Sequence, residues 1–214
     1  IYTEVMLSAA GGVKGLVLRG IDPESAPKVL SMLREIRRGS VTDLKREGTP
    51  GIVIGEELAK RLGIGLGSRV NLLSPSGEKG ATGYSPRIRP FEVVGIFKTG
   101  MFEYDATLAF VDLKAARDIL GLPDGFLTGI EIMVDDVYKA DAIAQSVQDT
   151  LGSPFYVRHW MEMNANLFAA LKLEKIGMFI LLTMVVLIGS CKEGLGEKTF
   201  EEWLTTAPTP HSLI

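Results

Sequence analysis

Apolar and polar positions alternate along the opening segment of the chain. In Tyr2-Thr3-Glu4-Val5-Met6-Leu7-Ser8 the apolar Tyr2, Val5 and Leu7 are set among mainly polar neighbours, a pattern typical of a half-buried β-strand. The pair Gly11-Gly12 predicts a turn into a second strand, Lys14–Arg19. The chain has no initiator methionine, so we expect that an N-terminal piece precedes this hairpin.

Helical periodicity begins after this hairpin. Asp22 is a plausible N-cap with Pro23 at the first helical position, and the apolar residues between Val29 and Ile36 predict one buried stripe that ends at Arg37-Arg38-Gly39. Further helices are predicted at Glu56–Gly63, with acids first and bases last, at Leu113–Leu120 with Asp112 as its cap, and at Lys139–Leu151.

Short apolar runs between these helices predict further strands. They are Ile52–Ile54, Val70–Ser74, Phe91–Phe97, Thr107–Val111, Gly129–Val134 and Phe155–Arg158. Short strands mixed with short helices in this way place the chain in the α+β class.

The character of the chain changes after Trp160. Trp160–Leu173 is predicted to be helical, and Ile176–Ile188 then carries no charge. Continued to Cys191, the run covers about 24 Å at a helical rise of about 1.5 Å per residue, short of the roughly 30 Å hydrocarbon core of a bilayer. A buried core helix is one interpretation. Because the run is apolar on all sides, we favour the start of a transmembrane helix, broken off just before it is complete.

The last segment, residues 189–214, matches neither the periodicity nor the apolar character of what precedes it. A frameshift, a read-through, an expression artefact or a native linker would each explain it. We therefore leave it out of the functional argument.

Composition excludes several function classes. The chain has 214 residues and a net charge of -3, so it lacks the basic balance of a nucleic-acid-binding surface. Its single cysteine, Cys191, excludes internal disulfides and any CxxC metal or redox motif. The two histidines, His159 and His211, are far apart in sequence, which argues against a histidine metal site.

No motif points to catalysis. Gly63-Ile64-Gly65-Leu66-Gly67 lacks the GxGxxG spacing and follows a helix, so a helix C-cap and turn explain it better than a phosphate site. Asp135-Asp136 is expected to cap a turn, and His159 has no partner motif beside it. We therefore expect no enzyme activity and no metal or cofactor in this chain.

One long loop is unusual. Residues 75–90 exceed the normal length of a hairpin loop, and such loops tend to be functional or disordered. Pro86 and Pro90 favour an extended, unpaired backbone. Tyr84, Arg87, Ile88 and Arg89 would then offer the aromatic, apolar and guanidinium contacts that are enriched at protein interfaces. An ordinary mobile surface loop remains the alternative.

Four motifs in order resemble a known family. They are Gly51-Ile52-Val53-Ile54-Gly55 running into Glu56–Gly63, then Gly67-Ser68-Arg69-Val70, then Phe91–Phe97, and finally Phe168–Lys175 before the apolar helix. Over about residues 1 to 188 the chain resembles the periplasmic domain of the lipoprotein-releasing ABC transporter permeases, the LolC/LolE family. Macrolide-exporter permeases of the MacB type and cell-division permeases share the glycine–valine pattern.

The resemblance implies an architecture. Family members have four membrane helices with a large MacB-like periplasmic domain between the first two, so this chain would begin inside that domain and end within the second span. The porter-like subdomain would comprise residues 1–48 and 126–160, and the inserted second subdomain residues 49–125. Residues 161–188 would be a stalk and partial transmembrane helix.

The resemblance also implies a function and partners. Members sit in the inner membrane, with the folded domain in the periplasm, and pair with a second permease subunit. A separate cytoplasmic ATPase subunit uses ATP, and the transporter extracts lipoprotein cargo and passes it to a periplasmic lipoprotein carrier. In LolC-type members a hairpin loop, the hook, docks on the carrier. Here the matching stretch is Thr82-Gly83-Tyr84-Ser85-Pro86-Arg87-Ile88-Arg89, which lacks the proline expected directly after Thr82.

That departure leaves open whether the chain is of the carrier-docking type, the lipoprotein-receiving type or a single permease serving both. Two rival functions also remain. One is a mechanotransmission permease of a MacB/FtsX-like system, controlling drug or toxin export or a peptidoglycan hydrolase. The other is a membrane-anchored enzyme.

Overall fold

The computed structural model describes residues 1–80 and 83–194, and the side chains of residues 1–75 and 85–190. It separates into two units, Ile1–Met133 and a second that begins at Val134. The first unit mixes a sheet with short helices, and the second is helical, so the predicted α+β class is confirmed.

One sheet organises the first unit. Its strands are β1 (Tyr2–Ala9), β2 (Gly12–Ile21), β3 (Ile36–Gly39), β4 (Gly51–Gly55), β5 (Arg69–Gly80), β6 (Gly83–Phe97) and β7 (Leu108–Asp112). The strand order is β3-β6-β4-β7-β2-β1-β5, and β5 pairs with β6 as well. Six strands therefore form a closed circuit of pairings, with β3 added beside β6.

The helices are short except for the last. They are α1 (Ala26–Val29), α2 (Glu56–Leu62), α3 (Phe102–Thr107), α4 (Leu113–Leu120), α5 (Ala140–Leu151), α6 (Trp160–Met163) and α7 (Ala165–Gly194), with 3-10 turns at Ser31–Arg34, Thr42–Leu44 and Val137–Lys139.

The core explains why these elements form. Both faces of β4 are buried, as expected of a strand whose residues are nearly all apolar. On one side Ile52 and Ile54 belong to a cluster with residues of α2 and α4. On the other side Val53 belongs to a second cluster, in which the Phe97 and Phe110 rings meet edge to face at 5.6 Å.

Most of the predicted elements with a strong local signal are confirmed. The β1–β2 hairpin pairs without interruption from Tyr2↔Arg19 to Ala9↔Gly12. Helix α2 ends at Gly63, which adopts the left-handed conformation that glycine tolerates. Helix α4 begins at Asp112, whose Oδ2 accepts a hydrogen bond from the Lys114 amide at 3.0 Å.

The predicted helix from Pro23 to Ile36 is wrong. The segment holds only α1 and a 3-10 turn, and the chain then enters β3, which pairs with β6 at Phe97. Asp22 is not the N-cap; Ser25 holds that position and donates its hydroxyl to Asp22 Oδ2 at 2.8 Å. Pro27 sits at the start of α1, and the pairing of Ile36–Gly39 with β6 outweighs the helical period.

The predicted strands at Gly129–Val134 and Phe155–Arg158 are also wrong. Neither segment pairs with a described strand, and a strand without a neighbour has no partner for its backbone groups. Residues around the first are held by side chains instead: the Tyr2 amide donates to Thr128 Oγ1 at 3.0 Å, and Arg19 forms an ion pair with Glu131.

Sequence reasoning missed α3. The buried carboxylate of Asp105 accepts hydrogen bonds from the Thr99 amide and hydroxyl and from the Gly100 amide, at 2.8, 2.9 and 3.2 Å. This clamp folds the polar turn before α3, where the sequence carries no helical period.

The second unit contains the apolar helix. From Ala169 to Ser190 every residue of α7 is exposed, so no other described part of the chain covers it. Among the helices of residues 1–80 and 83–194, none combines the length and the apolar character that a membrane crossing needs.

Strands from residues 1–48 and 49–125 share the one sheet, and the chain divides near residue 133. The subdomain boundaries that the resemblance implies stay a prediction.

Candidate docking arm

The stretch predicted to be an unpaired loop is a two-stranded ribbon. We call the β5–β6 hairpin from the pair Asn71↔Pro90 outward the arm. Its inner section runs from that pair to Ser74↔Arg87, and its outer section from Glu78↔Ser85 to Gly80↔Gly83. The prediction of extended backbone is therefore confirmed, and the prediction that it is unpaired is wrong.

The two prolines lie where the ladder tolerates them. Pro86 falls in the register shift between the two sections, where no cross-strand pair is formed. At Pro90 the strand β6 is paired with β5 only, because its pairing with β4 starts two residues later, at Gly51↔Glu92. A proline in a strand with a neighbour on one side only is tolerated, because its missing N–H can face the free side.

The inner section belongs to the body of the first unit. β1 pairs with it at Met6↔Leu73, Leu7↔Leu72 and Ser8↔Asn71. Leu72 and Ser74 are fully buried. The arm therefore starts from a fixed base.

The hook residues fall into four groups. Thr82 lies outside the described residues, and Gly83 and Tyr84 belong to β6, paired with Gly80 and Lys79. Ser85, Pro86, Ile88 and Arg89 are exposed, Ile88 by 53%.

Arg87 forms the fourth group, because it is half-buried against the body. Its Nη1 donates to the Asp118 carbonyl at 3.4 Å, near the end of α4. Its guanidinium lies so close to Gly121 that a Cβ there would collide with it.

A groove of about 700 Å³ opens beside the arm. Its walls are the loop of residues 44–50, the Arg89-Pro90-Phe91 stretch of β6, and the first turns of α4. Among the side chains that the structure describes, Arg89 and Lys114 on its rim have neither an ion pair nor a hydrogen bond. The rim therefore offers two cations without a direct partner among those side chains, in a groove that Glu47, Asp112 and Asp118 also line.

The other cations of the groove are already paired. Lys45 Nζ contacts Asp22 and Glu24 at 3.0 and 3.2 Å, and Arg46 contacts Glu92 at 2.8 Å. Hydrogen bonds from the Ser25 hydroxyl and from Lys45 hold the pKa of the Asp22 carboxyl below its usual value. The same contact with Asp22, with help from Glu24, raises the pKa of Lys45.

A metal-ion site is not formed in the described part of the chain, since no three His, Cys, Asp or Glu side chains there lie close enough together to share an ion. The geometry of the arm suits contact with another macromolecule: an exposed ribbon edge, a hydrophobic side chain and free guanidinium charge.

Comparison with known proteins gives the family. The model of the MacB-like periplasmic core domain matches residues 2–150. The chain belongs to this family.

Named relatives of this chain are transmembrane proteins of lipoprotein-releasing systems. The chain is 32% identical to the lipoprotein-releasing system transmembrane protein LolC of Neisseria meningitidis serogroup B, over 89% of this chain and 46% of that protein. It is 34% identical to LolC of Xylella fastidiosa strain Temecula1, over 81% of this chain and 41% of that protein. The chain thus spans about half the length of the curated relatives it matches.

Among solved structures, the extracellular domain of the noncanonic ABC-type transporter YknZ from Gram-positive bacteria is similar at 16% identity. The match has a TM-score of 0.43 and covers 71% of this chain and 73% of that one.

Sequence reasoning missed the contact between Arg87 and α4. Arg87 and Asp118 are 31 residues apart in the chain, so no local sequence pattern links Arg87 to the end of α4 at Asp118 and Gly121. The only local signal was Gly121 itself, a glycine placed directly after a helical period, where a left-handed C-cap is common.

Proposed function

We propose that this chain is the periplasmic part of an ABC transporter permease subunit that releases lipoproteins from the inner membrane and passes them to a periplasmic carrier. The observation that carries the proposal is the arm, which extends from a fixed base with Ser85, Pro86, Ile88 and Arg89 exposed. The similarity to LolC proteins over most of the chain supports the transport task.

The hook stretch Thr82–Arg89 is the proposed docking surface. Pro86 and Ile88 present apolar surface, and Arg89 presents a charge that no described side chain of residues 1–75 and 85–190 neutralises. Such a surface fits a carrier whose rim is acidic and partly apolar, because opposite charges steer the encounter while apolar contacts supply much of the affinity.

Membrane attachment is the second part of the proposal. Residues 161–188 would form the stalk and the beginning of a span, which couples the folded domain to the inner membrane. Support comes from the exposed apolar side chains of α7, including Phe179 and Leu182, since continuous exposed apolar surface marks a membrane or protein contact.

The remaining roles follow from the same proposal. The folded domain would lie in the periplasm, with residues 1–48 and 126–160 as its porter-like part and 49–125 as the inserted part. The chain itself would be non-catalytic: a separate cytoplasmic ATPase subunit would use the ATP, and a second permease subunit would share the lipoprotein cargo.

The test is a pull-down of the purified periplasmic lipoprotein carrier of the same organism on the immobilised 214-residue chain. Arg89→Glu and Pro86→Gly should each reduce capture, because one reverses the free charge and the other loosens the backbone beside the register shift. Lys14→Glu is the matched control, since it reverses an exposed charge on the other hairpin. Capture that is equal for all four proteins would reject the hook assignment.

A mechanotransmission permease is a second candidate, favoured by the match to the MacB-like family model. The same immobilised chain would then retain a peptidoglycan hydrolase or an outer-membrane channel from a periplasmic extract, and would not retain the carrier.

A further inference from the structure

The arm changes its register at one point, and Arg87 is the last paired residue before that point. Inward of it, each residue of β5 faces one residue of β6. Outward of it, the three residues of β5 between Ser74 and Glu78 face Pro86 alone. A ladder interrupted in this way can bend, so the residue just inside the interruption decides which way the outer section leaves the body.

Arg87 contacts the body at the C-terminal end of α4. Gly121 ends this helix in the left-handed conformation, with φ at 67°, and its amide and that of Leu122 both donate to the Arg117 carbonyl. The neighbouring Asp118 carbonyl accepts from Arg87 Nη1. The last carbonyls of a helix have no hydrogen-bond partner within the helix, so they can accept a hydrogen bond from a guanidinium. The C-terminal end of the helix dipole is also negative, which attracts the positive charge of the guanidinium.

The helix that receives Arg87 is itself held firmly. Ala116 and Ile119 are fully buried. At Gly20 of β2 an added Cβ would stand 2.5 Å from the Ala116 Cβ, so strand and helix are in close contact there. The Arg87 contact therefore ties the arm to a part of the body that has no room to shift.

Arg89 has the exposure expected of a residue that docks on a partner, and Arg87 does not. The two lie two positions apart on β6 and carry the same charge. Arg89 is exposed on the rim of the groove, without an ion pair or hydrogen bond in the described part of the chain, whereas Arg87 is half-buried on α4.

We infer that Arg87 is a positioning residue, which sets the direction of the arm through the C-terminus of α4 and does not itself touch the partner. The direction of the arm is a property of this chain alone. Only its consequence for docking rests on the proposed function.

The direct test measures the arm in the absence of any partner. Spin labels at Ser85→Cys and Lys114→Cys, both exposed positions, report the distance from arm to α4 in the 214-residue chain with Cys191→Ser. We expect one narrow distance distribution in the parent protein, a clearly broader one in Arg87→Ala, and an intermediate one in Arg87→Lys. Arg89→Ala removes the same charge two residues away and should leave the distribution unchanged.

A second variant guards against unfolding of Arg87→Ala. Arg87→Met keeps a long side chain but removes the guanidinium that donates to the Asp118 carbonyl, so it should broaden the distribution as well. If either folded variant, Arg87→Ala or Arg87→Met, keeps the narrow distribution of the parent, Arg87 does not position the arm.

Carrier binding separates positioning from contact. If only about a tenth of the Arg87→Ala molecules hold the arm in the direction that binds the carrier, the apparent affinity for the carrier falls about tenfold. Its salt dependence should match that of the parent, because no charge has left the interface, whereas Arg89→Ala should flatten it. A flattened salt dependence in Arg87→Ala would place Arg87 in the interface and overturn the inference. A parent chain that does not bind the carrier would defeat the proposed function and leave the distance test standing.

Discussion

The first unit contains two hairpins built on the same sheet, and they end very differently. The β1–β2 hairpin pairs without a break up to Ala9↔Gly12 and packs its turn on α2, where a Cβ at Gly11 would collide with the Leu62 carbonyl. The β5–β6 hairpin is paired equally well at its base, but its register shifts beyond Ser74 and its side chains from Ser85 to Pro90 are mainly exposed.

This difference separates a hairpin that is fixed within the domain, β1–β2, from one whose exposed residues can contact a partner, β5–β6. The turn of the β1–β2 hairpin is exposed at Ala10, but its contact with α2 at Gly11 fixes it in place. The arm buries Leu72 and Ser74 at its base, whereas Ser85, Pro86, Ile88 and Arg89 are exposed, so these four residues contribute little to stability and are available for contact. The body contacts the arm through β1 and through Arg87.

The largest expected effect contrasts two residues of the arm itself. Leu72→Ala removes a fully buried side chain from the base and should lower the free energy of unfolding by about 2–5 kcal/mol. Ile88→Ala, at a position 53% exposed, should change it by less than about 0.5 kcal/mol and yet weaken carrier binding. Urea unfolding followed by circular dichroism measures both. Equal losses of stability would mean that the arm is part of the core along its length.

The next effect tests the other hairpin. Gly11→Ala should lower the free energy of unfolding by about 1–3 kcal/mol, because the new Cβ meets the backbone of Leu62. Gly15→Ala is the control on β2, where nothing lies within 4 Å of the added Cβ. Thermal unfolding of both variants decides the matter, and a stable Gly11→Ala protein would show that this turn is not held against α2.

The smallest effect concerns charges that are paired in the body and free on the arm. Because its folded pKa is lowered, Asp22 contributes stability above the ordinary carboxyl pKa of about 4, and this contribution is lost as the pH falls through the lower folded value. Asp22→Asn should therefore cost a little stability at pH 7 and less at pH 3, where the carboxyl of the unfolded chain is largely protonated. The cost is small because the Lys45 contact is well exposed to solvent.

Arg89→Ala is the counterpart of Asp22→Asn on the arm. It should leave stability unchanged at both pH values. A stability loss for Arg89→Ala that grows with pH would reveal a partner for Arg89 within the chain.

Elements whose signals are local could be predicted from the sequence. β4 is a short apolar run, and α2 and α4 combine an apolar period with a cap of the right type, Gly63 and Asp112 respectively; packing agrees with each signal. Two segments show the reverse case, since they were predicted as strands and are coil: Gly129–Val134 and Phe155–Arg158. A local apolar pattern favours an extended backbone, but a strand forms only where a neighbouring strand is available to pair with it.

The site could be predicted in outline only. The prolines and the length of residues 75–90 marked an extended projection. They could not reveal that it is paired, because pairing depends on a β5 sequence with little apolar character beyond Leu73. The role of Arg87 depends on a helix end that becomes its neighbour only when the sheet has formed.

The most direct measurement places a photo-crosslinking residue on each hairpin in turn, at Ile88 on the arm and at Ala10 on the β1–β2 turn, both exposed. Incubated with the purified carrier and irradiated, the chain labelled at Ile88 is predicted to yield a crosslinked product, and the chain labelled at Ala10 none. Crosslinking at Ala10 with none at Ile88 would contradict the account.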